Sequence, residues 1–137
     1  MKRVVLISCV SKKLPHEARA EDLYISPLFK FNLRYAKQLK PDAIYILSAK
    51  HGVLELDVTI EPYNITLNEM RVAEKRAWSQ KVLEQLAMHA DLQRDHFVFL
   101  AGQNYRKYIV PSLSSFEAPL EGLRIGRQLQ KLKEMTS

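Results

Sequence analysis

Three short apolar runs in this chain each end in a polar cluster suited to ligand chemistry. Ser8-Cys9-Val10-Ser11-Lys12-Lys13 follows the first, Ser48-Ala49-Lys50-His51-Gly52 the second and Gly102-Gln103-Asn104-Tyr105 the third. Two more clusters, Asp22-Leu23-Tyr24-Ile25-Ser26 and Glu61-Pro62-Tyr63-Asn64, stand in the connections between them. Lysine ammonium groups and an imidazole hold phosphate or donate to a leaving group. The amides of Gln103 and Asn104 set a donor beside an acceptor and so match the edge of a base. Tyr24, Tyr63 and Tyr105 offer faces for base stacking, and Asp22 and Glu61 supply carboxylates.

Each of these residues also has a plain structural reading. Ser8 and Ser48 satisfy backbone groups at strand ends, Ser26 caps a helix, and His51 ends a turn before Gly52. Cys9 reads first as a small buried hydrophobe. Lys12 and Lys13 are equally a solvated loop or a phosphate site, and Asp22 and Glu61 are equally surface residues. Tyr24 and Tyr63 are core aromatics or stacking platforms. Gln103 and Asn104 form a turn and a helix cap, or read a base. For Lys50-His51-Gly52 the functional reading is preferred, because a cation and an imidazole sit at a strand tip.

The elements that must position these clusters alternate. Val4-Val5-Leu6-Ile7, Ile44-Tyr45-Ile46-Leu47 and Phe97-Val98-Phe99-Leu100-Ala101 are continuous apolar runs, as expected of strands buried on both faces. A weaker fourth strand is expected around Ser115-Phe116-Glu117-Ala118. Ser26-Pro27 opens a helix, with Leu28, Phe31, Tyr35 and Leu39 at helical spacing and Pro41 as its stop. Thr66-x-x-Glu69 is a capping-box pattern for a second helix, with Trp78, Val82 and Leu86 as its apolar stripe. A short helix is expected from about Asn104 to Pro111, and a last one after Pro119 with Ile125, Leu129 and Leu132 buried. The order β-α-β-α-β-α-β-α predicts a single Rossmann-like α/β domain over 1–137: a parallel sheet of about four strands with helices on both faces. In such sheets ligands bind beyond the carboxyl ends of the strands, so the polar clusters are expected to converge on one cleft.

Composition bounds the partners. The chain has 137 residues with 47 % hydrophobic and 26 % charged, the balance of one ordinary folded domain. No apolar run approaches the roughly 20 residues that cross a bilayer, so no membrane association is expected. Lys and Arg number 21 against 15 Asp and Glu, a net charge of +6 that favours polyanionic partners. The single cysteine, Cys9, allows neither an intramolecular disulfide nor a cysteine zinc cluster, and a cytoplasmic protein is expected. Met1-Lys2-Arg3 followed by Val4 to Cys9 imitates a lipoprotein leader, but its apolar stretch is too short. With 4 glycines and neither G-x-G-x-x-G nor a Walker A sequence, dinucleotide and P-loop readings are weak, and no metal or cofactor is expected.

Four strings taken together carry a family resemblance: Ser8-Cys9-x-x-Lys12-Lys13, Asp22-Leu23-Tyr24-x-Ser26-x-x-Phe29, Ile46-Leu47-Ser48-Ala49-Lys50-His51-Gly52 and Glu61-Pro62-Tyr63-Asn64. The set resembles a bacterial and phage family of small α/β domains long labelled as of unknown function. That family is similar to domains found with enzymes of 7-deazaguanine base exchange, to YaaA-like proteins, and to the Brig-type phage-defence DNA glycosylases that excise glucosylated hydroxymethylcytosine. The family pattern has Asp after Pro-Tyr where this chain has Asn64, which moves catalytic weight to Glu61. Gly102-Gln103-Asn104-Tyr105 is similar to the water-activating motif of uracil-DNA glycosylases, except that Asn cannot act as that motif's Asp.

The resemblance implies hydrolysis of an N-glycosidic bond in DNA, through an oxocarbenium-like sugar. Such a site needs a carboxylate near the anomeric carbon, donors on the departing base and a surface that holds the base. On this reading Glu61 and Asp22 are the carboxylates, and Lys50 and His51 donate to the base or its phosphate. Ser8, Cys9, Tyr24, Ser26, Ser48, Tyr63, Asn64, Gln103, Asn104 and Tyr105 contact the extruded, modified base and its sugar. Lys12, Lys13, Arg19 and Arg106 hold the DNA backbone. The alternatives are a nucleotide N-glycosidase resembling nucleoside 2-deoxyribosyltransferases and a non-catalytic DNA-binding domain.

Overall fold

The computed structural model describes residues 1–136 and is of mixed α/β type. In chain order the elements are β1 (Arg3–Ser8), β2 (Ala18–Arg19), α1 (Ala20–Leu23), α2 (Pro27–Gln38), β3 (Ala43–Ser48), β4 (Gly52–Glu55) and β5 (Thr59–Ile60). There follow α3 (Val72–Ala87), β6 (His96–Leu100), α4 (Gln103–Arg106), β7 (Ser115–Glu117) and α5 (Ile125–Thr136), with 3-10 turns at Leu67–Glu69 and Val110–Ser112.

Continuous β-branched and aromatic runs make the central strands. Val4, Val5, Leu6 and Ile7 of β1 are all buried, as are Phe97 to Leu100 of β6, so both strands are covered on both faces. The five-stranded sheet has the order β4-β3-β1-β6-β7. β3, β1, β6 and β7 are mutually parallel, and these are the four strands expected from the sequence. β4 is an additional antiparallel edge strand, joined to β3 by a tight hairpin in which Ser48 pairs with Gly52. Gly52 takes φ 76°, the left-handed region that a glycine enters without strain. With only Val53 and Leu54 apolar, its sequence pattern is too short to announce a strand. A second small ribbon pairs β2 with β5 and ties the loop after β1 to the segment before Glu61.

The Ser26-Pro27 start is present as expected: Ser26 Oγ accepts the Phe29 N–H at 3.2 Å and α2 begins at Pro27. Its fully buried residues are Phe29, Asn32 and Ala36, one position off the expected stripe, whose members are half-buried. The Thr66 start is different. Thr66 Oγ1 accepts the Asn68 N–H at 3.2 Å, but only a 3-10 turn follows, because Met70 is extended at ψ 150°. α3 starts afresh at Val72, where the Glu74 carboxylate accepts the Arg71 N–H at 3.2 Å. The helix expected from Asn104 to Pro111 is one turn of α4 and a 3-10 turn. Trp78, Val82 and Leu86 are buried as expected, while Ile125 of the last helix is exposed.

α2 packs against α5, and α3 against α4 and β4. The β1-α2-β3 and β3-α3-β6 crossovers run in opposite directions across the sheet, so right-handed connections put these two helix pairs on opposite faces.

Candidate functional site

The sheet order reverses at β1: the chain leaves it through α2 to β3 on one side and returns through α3 to β6 on the other. A crevice is expected outside the carboxyl ends at such a point. A cleft of about 710 Å³ opens there, with Ser8 and Cys9 at the end of β1 and Leu100, Ala101 and Gly102 at the end of β6. Its volume is within the range of small-molecule sites.

One wall and rim are cationic and polar. Ser11, Lys12 and Lys13 come from the loop after β1, Ser26 and Asn32 from α2, and Asn64, Asn68 and Glu69 from the segment before α3. Gln103 and Asn104 come from the start of α4, and Gln128 from α5. Asn104 Nδ2 donates to Asn68 Oδ1 at 2.8 Å, and Lys75 Nζ donates to Asn104 Oδ1 at 3.2 Å, so these amides are held in place. The apolar lining is mostly aliphatic and includes Leu28, Leu129, and the exposed Ile65 and Ile125. Glu69 is the one carboxylate among the described residues that line the cleft.

Cys9 is buried at the junction of the three tips. The Ala49 N–H donates to its sulfur at 3.4 Å, and its thiol lies 3.5 Å from Tyr105 Oη. The Leu67 N–H reaches the same Oη at 3.4 Å. Cys9 thus ties the β1, β3 and β6 ends to the 3-10 turn that carries Glu69, as a packing residue with weak hydrogen bonds.

The five polar clusters do not share one cleft. Ser8, Cys9, Lys12, Lys13, Ser26, Asn64, Gln103, Asn104 and Tyr105 line it. Of these, Tyr105 is buried edge-on against Trp78, 5.5 Å between ring centroids, and has no face for a base. Tyr24 is fully buried against Phe29 at 5.1 Å, so its expected stacking role is corrected to a core role. Ser48 is also fully buried. Its Oγ accepts the N–H groups of Lys50 at 3.2 Å and His51 at 3.0 Å and donates to Tyr63 Oη at 2.7 Å. Ser48 therefore shapes the β3–β4 turn rather than touching a ligand.

Lys50, His51 and Tyr63 stand beside the cleft, outside its lining. The His51 ring meets Tyr63 edge-on at 5.6 Å. Burial, and then the charges of Lys50 and Lys81, push the His51 imidazole below its usual range. Tyr63 Oη lies 2.6 Å from Tyr24 Oη, and burial pushes Tyr24 up to about 12 and Tyr63 further. The Lys13 ammonium caps the Tyr63 ring at 4.5 Å and the Tyr24 ring at 5.7 Å. Partial burial pushes Lys13 below the ordinary lysine value, with the Cys9 sulfur acting the other way.

The two expected carboxylates lie elsewhere. Glu61 is exposed just past β5, at the end of the ribbon. Asp22 is exposed on α1 and borders a separate basic depression with Lys30, Arg34, Lys37 and Lys40. Two of the four cations expected to hold DNA are engaged away from the cleft lining. Arg19 pairs with Glu21 at 2.9 Å, and Arg106 donates to the Ala101 carbonyl and pairs with Glu121 at 3.2 Å. Among the described residues no three His, Cys, Asp or Glu side chains gather where they could hold a metal ion. No helix there is long and apolar enough to cross a membrane.

Sequence reasoning missed Glu69, Asn32, Ile65 and Ile125. Glu69 looked like a helix-capping residue. Asn32 carried a readable signal, an amide in the middle of an otherwise apolar helix face.

No solved structure matches this chain. It is 30 % identical over 149 residues to the uncharacterized protein YfjM of Bacillus subtilis (strain 168), an alignment covering 96 % of this chain and 93 % of that protein. Its residues 4–134 match the pattern of a family of unknown function, DUF6884. Neither likeness involves the YaaA-like or glycosylase families. With a family match over nearly its whole length, the chain belongs to DUF6884.

Proposed function

We propose that the protein is an N-glycosidase that takes the base of one nucleotide into the cleft between the ends of β1 and β6. The observation that carries this reading is the composition of that cleft, which is lined by Lys12 and Lys13, several Asn and Gln amides, and Glu69. Lysines suit the phosphate, amides suit the base edge, and the carboxylate suits a water or a developing positive charge at the sugar. Lys13, eased below its ordinary value by burial, donates to the departing base as negative charge builds on it. The base packs against exposed aliphatic side chains of the lining, Ile65 and Ile125, in place of the tyrosines. The net charge of +6 and the likeness of the motifs to DNA glycosylases favour a modified base extruded from DNA. On this view the chain is a Rossmann-like domain acting in the cytoplasm against phage with modified genomes.

A second reading, cleavage of a free nucleotide, is favoured by a separate observation. Arg19 and Arg106, which a DNA strand would need, are already paired with Glu21 and Glu121. One experiment separates the two readings. The protein is incubated with genomic DNA of phages carrying different base modifications, and in parallel with mononucleotides, and released bases are identified by mass spectrometry. Base from DNA with alkali-labile sites supports the first reading, and base from mononucleotides alone supports the second. No release from either overturns the N-glycosidase reading. Glu69→Gln is expected to lower release by about 100-fold or more with binding kept; full release by this variant removes Glu69 from the chemistry.

A further inference from the structure

Asn32 occupies the buried face of α2 between Phe29 and Ala36, yet it is an amide. It is 4 % exposed, lines the cleft, and its Oδ1 has no hydrogen-bond partner. A buried acceptor without a partner is costly, and an apolar residue of similar volume would remove that cost. Three other amides of the cleft are bonded, Asn104 to Asn68 and Lys75, and Gln128 Nε2 to the Leu123 carbonyl at 2.8 Å, while Asn64 and Gln103 are exposed. Turning about χ2 exchanges the oxygen and nitrogen of Asn32 in the same space. The cleft lining at Asn32 therefore holds one acceptor and one donor on a single side chain.

We infer that Asn32 reads the hydrogen-bonding edge of a nucleobase lying in the cleft. The edge that fits it is an adjacent N–H donor and acceptor, present on nucleobases and absent from a sugar phosphate. Lys12, on the rim, takes the phosphate of the same ligand. This deepens the N-glycosidase reading by naming what the buried end of the cleft recognises, and it rests on the base entering that cleft. A site built to hydrogen-bond a ligand rejects analogues that lack the matching group far more strongly than an apolar pocket does.

The test is calorimetric titration of the full chain with the four deoxyribonucleoside 5′-monophosphates, 2-deoxyribose 5-phosphate and inorganic phosphate. The parent is expected to bind at least one monophosphate about 10-fold or more tighter than deoxyribose phosphate. Asn32→Leu is expected to erase that difference while melting no lower than the parent, since it removes an unpaired buried acceptor. A parent that binds the sugar phosphate as well as any nucleotide overturns the inference. So does an Asn32→Leu protein that keeps the parental discrimination. Where Asn32→Leu does not fold, Asn32→Asp decides. A carboxylate only accepts, so this variant is expected to shift preference toward guanine, whose N1–H and N2–H₂ are adjacent donors, and away from adenine. An unchanged ratio of the two overturns the inference. Base release by the parent is measured separately: its absence with Asn32-dependent binding intact sinks the N-glycosidase reading and leaves the recognition standing.

Discussion

Replacing Gly52 by alanine tests how the β3–β4 hairpin is held. Gly52 has φ 76°, and a Cβ built there would lie 2.1 Å from Gln85 Oε1. The Gln85 amide is the far end of a flexible side chain and can swing aside. What it cannot keep is its bonding, for Oε1 accepts the Val53 N–H at 2.8 Å and Nε2 donates to the His51 carbonyl at 3.2 Å. The left-handed backbone costs an alanine about 1–2 kcal/mol. Breaking the two hydrogen bonds costs about 0.5–1.5 kcal/mol each. Gly52→Ala is therefore expected to destabilise by about 2–5 kcal/mol, a large share of a typical total. Urea unfolding checks this, as a lower midpoint at an unchanged slope. In a Gln85→Ala background the same change should cost only the backbone part. A loss below about 1 kcal/mol in the parent, or equal losses in both backgrounds, would refute the reasoning.

Three other outcomes are expected. Lys12→Ala with Lys13→Ala should weaken DNA binding across sequences and flatten the dependence of log affinity on log salt by about 0.9 for each phosphate left without its lysine; a parental slope near zero would remove the polymer as substrate. Lys50→Ala changes an exposed residue outside the cleft lining, so stability should move by no more than about 0.5 kcal/mol and base release should persist; loss of release would return the β3–β4 turn to the chemistry. The Asp95 carboxyl is held below its ordinary value by the N–H groups of Asp91 and Lys2, so its stabilisation is complete above the unfolded pKa near 4 and is lost as pH falls through the lower folded value. Asp95→Asn should accordingly be less stable than the parent at neutral pH, with the gap narrowing below about pH 4; a gap independent of pH would show that charge is not involved.

The parallel strands were legible because a strand covered on both faces must be apolar throughout, and the runs at Val4, Ile44 and Phe97 are. The edge strand β4 was not, since pairing with one neighbour at the sheet margin asks little of its four residues. The cleft was legible in outline, because the carboxyl-end rule needs only strand order and direction. Which polar residues face it was not. Tyr24 and Glu61 look alike from sequence as residues of polar loops. One is fully buried by α2 packing and the other is exposed, a difference set by neighbours distant in the chain. The absence of a partner at Asn32 Oδ1 is likewise a tertiary fact, visible only once α2 is seated among its neighbours.

The motifs outside the cleft still act on it through Lys13. Lys13 is joined to Tyr24 by a backbone bridge, and its neighbour Lys12 accepts the Ile25 N–H at 3.0 Å. Its ammonium rests on the Tyr63 ring, and Tyr63 is fixed in turn by Oη contacts to Ser48 at 2.7 Å and Tyr24 at 2.6 Å. Ser48 is anchored from both sides, by the turn N–H groups on its Oγ and by the Trp78 indole on its carbonyl at 2.9 Å. The strings around Tyr24, Ser48 and Tyr63 thus form one hydrogen-bonded scaffold whose exposed product is the position of a single cation. A lysine has a flexible four-carbon stem and gains little from a fixed charge in water, so holding one this way matters only where its direction matters. Lys13 lines the cleft while Tyr24, Ser48 and Tyr63 do not, so under the proposed N-glycosidase reading the serine, the tyrosines and the β3–β4 turn serve as its support.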